Sequence, residues 1–159
     1  MSNIKEECKE AIGVNVHLIV IDNNALLKGL SQDPLFQTML SSYVSSKRFI
    51  FNVKIKINYK LLDLNLLKSK SLIENFDILN TKEKFDSLRN LISINLFIAK
   101  KRLITRDMVN KKIKEIFGND IIKNLKNNNV NKTEFIKEYK KIYEETFNKI
   151  LEGIKDESK

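Results

Sequence analysis

From Tyr59 onward the apolar residues recur every three or four positions, and this one period commits most of the chain to amphipathic helices that must pack on one another. Leu61, Leu62, Leu64, Leu66, Leu67 and Leu72 read as a first helix. A second starts near Thr81 and sets Phe85, Leu88, Leu91, Ile92, Ile94, Leu96 and Ile98 on a broad stripe. A third, capped by Thr105 and stopped at Gly118, uses Met108, Val109, Ile113, Ile116 and Phe117. Asn127 to Asn129 reads as a loop, and a last helix from Thr133 repeats Phe135, Tyr139, Ile142, Tyr143, Phe147, Ile150, Leu151 and Ile154. With 4 Gly and 1 Pro in 159 residues, little in the chain breaks such helices.

Before Tyr59 the pattern differs. Residues 2–12 read as helical, and Val14 to Ile21 is a β-branched run closed by Asp22-Asn23-Asn24, the composition of a mostly buried strand. Ala25 to Leu30 is a helical turn. Asp33-Pro34 starts another helix through about Val44, because Asp caps free amides and Pro suits the first helical position. From Phe49 to Ile57, Phe49, Phe51, Val53, Ile55 and Ile57 alternate with Ile50, Asn52, Lys54 and Lys56, the period of a half-exposed strand. The expectation is an α+β protein: a small mixed sheet with flanking helices over residues 1–59, followed over 60–159 by a bundle of four or five helices packed against it.

The chemistry-bearing residues are few. The single cysteine, Cys8, closes no internal disulfide, and one histidine, His17, with one cysteine makes no zinc cluster, which points to a reducing cytoplasmic setting. The first residues mix acids with bases and lack the apolar core of a secretory signal, and the longest apolar run, Leu91 to Ala99, is too short to cross a membrane. Gly13, Gly29, Gly118 and Gly153 lie far apart, so no phosphate-cradling loop is expected. Asp-X-Asp, the spacing that turns two strand carboxylates toward shared ions, is absent. No catalytic residue, metal ligand or cofactor is assigned. A lone His on an apolar strand is most often a hydrogen-bonded, partly buried side chain.

The net charge of +9, from 29 Lys and Arg against 20 Asp and Glu, attracts polyanions. A mix so rich in Lys, Asn and Ile is also what an AT-rich genome imposes, so the charge alone does not decide between a nucleic-acid partner and a solvated surface. The candidate phosphate contacts are Lys54, Lys56, Lys100, Lys101, Arg102, Arg106, Lys111 and Lys112. Those near helix ends equally complement a helix dipole, and Lys54 and Lys56 equally protect an edge strand from pairing with another molecule.

The run Gly13-Val14-Asn15-Val16-His17-Leu18-Ile19-Val20-Ile21, its acidic turn, the short helix, and Asp33-Pro34-Leu35-Phe36 with the helix to Tyr43 resemble the later part of the small archaeal nucleotidyltransferase domains of the DNA polymerase β superfamily. Arg48-Phe49-Ile50-Phe51-Asn52 stands where that family has a short Leu-Tyr-Gly strand. The match covers roughly residues 4–57. The family's Gly-Ser pair and Asp-X-Asp lie upstream of the matched part, and neither occurs here. Its third carboxylate position falls at His17, and a neutral imidazole does not replace a hard oxygen ligand for magnesium. The resemblance therefore implies a non-catalytic relative.

Three readings remain open on these grounds. One is a non-catalytic nucleotidyltransferase-like protein or accessory chain that offers a basic surface to a nucleotide, a nucleic acid or a catalytic partner. Another is a helical nucleic-acid-binding subunit of a replication or repair complex. The third is an interaction scaffold, self-associating or bound to another chain, with Phe135, Tyr139, Tyr143 and Phe147 partly exposed. Incubated alone with magnesium and labelled nucleotides, the protein is expected to transfer no label; sustained turnover abolished by His17→Ala would overturn that expectation.

Overall fold

A computed structural model of the chain describes residues 21–41, 53–100 and 102–157, with the side chain of Lys100 left out. Among them are seven helices: α1 Asn23–Gln32, α2 Pro34–Leu40, α3 Tyr59–Glu74, α4 Thr81–Lys100, α5 Arg106–Phe117, α6 Ile121–Lys126 and α7 Lys132–Glu157. Most starts have a local cause. Asp22 accepts from the Ala25 amide at 2.7 Å, and Asp33 from Leu35 and Phe36 with Pro34 first in the helix. Asn58 caps α3, and Thr105 caps α5 through the Met108 amide. Asn80 and Glu83 each accept the other's amide at 3.0 and 2.8 Å, a reciprocal box ahead of α4. Helix α5 stops at Gly118, whose φ of 91° is one that side-chain-bearing residues avoid.

Helix α4 is the axis of the fold. Leu88, Leu91, Ile92, Ile94, Leu96, Phe97 and Ile98 are all buried, so apolar residues surround the helix instead of lining one stripe. Helices α2, α3, α5, α6 and α7 all pack against it, and α3 also lies along α7. Phe135 closes the far end of the core, with ring centroids 5.8 Å from Phe76, 5.1 Å from Phe117 and 6.0 Å from Tyr139. Lys84 is buried there too. Its ammonium sits 4.3 Å over the Phe76 ring and donates to Asn128 Oδ1 at 3.1 Å, tying α4 to the Asn-rich loop.

The expected α+β class is corrected by this architecture: the described residues are helical with no strand or sheet. Residues 14–20 and 49–52 of the two expected strands lie outside the described residues. Residues 53–57 adopt no regular structure, yet the alternation survives, with Val53, Ile55 and Ile57 half-buried and Lys54 and Lys56 exposed. Ile55 and Ile57 lie on the helical core, and the Lys56 amide bonds to the Ser31 carbonyl at the end of α1 at 3.0 Å. Period two reports one covered face and one wet face; here helices supply the cover. No strand neighbours Lys54 and Lys56 among the described residues. Helix α2 spans Pro34–Leu40, and residues 42–44 of the expected helix lie outside the described residues.

Several polar side chains inside the bundle are tied to specific partners. Asn90 donates through Nδ2 to the Asn65 carbonyl at 2.7 Å and to Ser69 Oγ at 2.8 Å. The fully buried Tyr139 hydroxyl donates to the Ser69 carbonyl at 2.8 Å and reaches the Ser87 carbonyl at 3.2 Å. Asn95 donates to Thr146 Oγ1, which in turn donates to the Ile142 carbonyl. These bonds join α3, α4 and α7 in one register, because a sliding helix would strand buried polar groups.

Burial pushes the Tyr139 hydroxyl far above the ordinary tyrosine value of 10.0, with the Ser69 side chain acting the other way. The folded state therefore keeps this proton when the unfolded chain loses it, so its stabilising effect is complete below pH 10 and declines as the pH rises further. Urea unfolding should show stability falling above that pH, with the fall blunted in Tyr139→Phe; at neutral pH the same variant should be weaker by about 1 kcal/mol for the missing bonds. Gly153 of α7 faces the Tyr59 ring at the start of α3 so closely that a Cβ there would overlap it. Gly153→Ala should cost about 1–3 kcal/mol by thermal or urea unfolding, with partial recovery on adding Tyr59→Leu.

Candidate anion-binding cleft

The sequence places Arg106 at the first position of α5, and the fold delivers it to a cleft against α2 and α4. Gln37 is the clamp. Buried on α2, it donates to the Leu30 carbonyl at 2.6 Å and accepts from the Ile104 amide at 2.8 Å. The Arg106 amide donates to Ser41 Oγ at 3.1 Å. The α4–α5 turn is thereby stapled to the end of α2.

The resulting cleft has a volume of about 520 Å³. Leu35 and Met39 of α2 form an apolar wall, and Lys68 of α3, Arg89 of α4 and Arg106 bring three positive charges against one carboxylate, Asp86. Arg89 is held rather than loose. Its side chain is 23% exposed, its guanidinium lies 5.6 Å from the Phe85 ring centroid, and its Nε is enclosed without a partner. Asp86 approaches Arg89 only to 3.9 Å, the limit of an ion pair. Burial lowers the Arg89 pKa from its ordinary value, the charge of Arg106 lowers it further, and Asp86 acts the other way. Among the described residues Arg106 joins no ion pair. Two guanidiniums thus face a common space with less negative charge than they need.

A second cleft, of about 550 Å³, opens on the other flank of the α4–α5 corner and collects Arg102, Lys111 and Lys112 with Glu115, which pairs with Lys112 at 3.2 Å. Four sequence candidates therefore meet around one corner, three in this cleft and Arg106 in the first. Lys54 and Lys56 line neither. His17 and Lys101 lie outside the described residues, as does the side chain of Lys100. Arg89 and Lys68 were missed by sequence reasoning. The available signal was Arg89 itself, the one charge in the otherwise apolar and small-polar run from Leu88 to Ala99.

The aromatic residues of α7 face inward: Phe135 and Tyr139 are buried, while Tyr143 and Phe147 are half-buried against the core. Among the described residues no three of His, Cys, Asp and Glu lie close enough to share a metal ion, and no helix is long and apolar enough to cross a membrane. No family model, curated protein or solved structure matches the chain.

Proposed function

We propose that the chain is a helical nucleic-acid-binding accessory protein that engages phosphates through the α4–α5 corner. The observation that carries this reading is the pair of open clefts flanking that corner, each presenting three cations against one carboxylate. Charge so arranged draws in a phosphate backbone over a Debye length and releases its condensed counterions on contact. The net charge of +9 acts in the same direction at longer range. Contacts from Lys and Arg to phosphate carry no sequence information, so they are expected to position the chain on nucleic acid with little sequence preference.

Anisotropy titrations of a labelled oligonucleotide over a range of salt test the reading. Affinity should fall steeply between about 50 and 200 mM salt, and replacing Arg102, Arg106, Lys111 and Lys112 together by Ala should flatten the slope by about one unit for each phosphate these side chains neutralise. An absence of binding to single- or double-stranded DNA or RNA at the low-salt end would retire the proposal.

A further inference from the structure

We propose that the Arg89–Arg106 cleft is a pocket for a phosphomonoester, the terminal phosphate of a nucleic-acid strand. This inference rests on the function proposed above and names the group that one of its two clefts takes.

The charge balance separates a terminal from an internal phosphate. Lys68, Arg89 and Arg106 against Asp86 leave a surplus of two positive charges around the cleft. An internal phosphodiester brings a single negative charge, whereas a phosphomonoester carries about −1.5 to −2 near neutral pH. The dianion matches the surplus; the diester leaves part of the repulsion between the guanidiniums in place.

Preorganisation points the same way. Arg89 projects from the most deeply buried helix of the fold and is packed by Phe85, and Arg106 is fixed at its backbone by Ser41 and the Gln37 clamp on Ile104. Planar guanidiniums present forked donors that fit the oxygens of a phosphate, and packing Arg89 in place beforehand avoids part of the ordering cost that flexible lysines incur on binding. The second cleft lacks this bracing: its cations are Arg102 in the turn and two lysines, one already paired with Glu115. Helix α5 does not offer its own first amide to the ligand, since that N–H is taken by Ser41, so the recognition falls to side chains. The wall of Leu35 and Met39 suits the sugar or base that follows the phosphate, and a volume of about 520 Å³ lies within the range of small-molecule pockets.

The test compares one oligonucleotide of about 12 residues, a length within the usual single-strand site size, bearing a 5′-phosphate, a 3′-phosphate or hydroxyls at both ends, against the full chain. One phosphorylated form should bind about tenfold more tightly than the hydroxyl form. Arg106→Lys, at an exposed position that keeps the charge but loses the fork, should remove that advantage while the melting temperature stays unchanged; Arg89→Lys should do the same where it folds. Adenosine monophosphate serves as competitor. Displacement at concentrations near the oligonucleotide's own would support the phosphomonoester pocket with a free nucleotide as its source, and displacement only in large excess would support the strand end. Equal affinities for all three oligonucleotides, with no effect of adenosine monophosphate, would overturn this inference and leave nucleic-acid binding intact. Failure of every oligonucleotide to bind at low salt would bring down both.

Discussion

Helix α4 has almost no solvent face between Leu88 and Ile98, where only Arg89 and Asn95 are half-buried and the rest is enclosed. A helix wrapped on all sides obliges its neighbours to close around it, and α2, α3, α5, α6 and α7 do so. Hydrophobic burial of this kind is strong but indifferent to register, since apolar surfaces slide at little cost. Register comes from the polar groups that burial leaves without water. Asn90 on the Asn65 carbonyl and Ser69, Tyr139 on the Ser69 carbonyl, and Asn95 on Thr146 each admit one alignment of α3, α4 and α7.

The cationic corner follows from the same axis. Because α4 is buried, a charge placed on it reaches solvent only where the surrounding helices part, and Arg89 emerges in the gap bordered by α2, α3 and the start of α5. The Gln37 clamp and the Ser41 bond keep α2 against the α4–α5 turn, which brings Arg106 to the same gap. Structure and charge are thus coupled: the bonds that fasten α2 to the bundle also set the backbone of Arg106 beside the gap in which Arg89 emerges. The second cleft, on the opposite flank, gathers Arg102, Lys111 and Lys112 without such fastening.

The resemblance to nucleotidyltransferase domains rests largely on residues 4–20 and 42–52, which lie outside the described part of the chain. Within the described part, Asn23–Gln32 and Pro34–Leu40 are helices, and residues 53–57 lie irregularly over the helical core where a strand was expected. Lys54 and Lys56 remain exposed cations on that segment, apart from both clefts.

Local signals set the helices: caps at Asp33, Asn58, Thr105 and the Asn80–Glu83 box, a stop at Gly118, and apolar residues at helical spacing from Tyr59 onward. Such signals act within a few residues and are readable one segment at a time. The alternation through residues 53–57 was equally legible as a covered face and a wet face. What covers the face was not, because β pairing is a contact between distant segments and a helix offers an apolar surface just as well. Arg89 and Arg106 stand seventeen positions apart on different helices, and no spacing rule joins them; their meeting depends on how α2, α3 and α5 close around α4. The sequence by itself determined where most of the described helices begin and which positions are apolar; the short α6, without a side-chain cap, was not among them. Only the tertiary structure decided which charges face each other, since Coulomb repulsion and partial burial act through space and not along the chain.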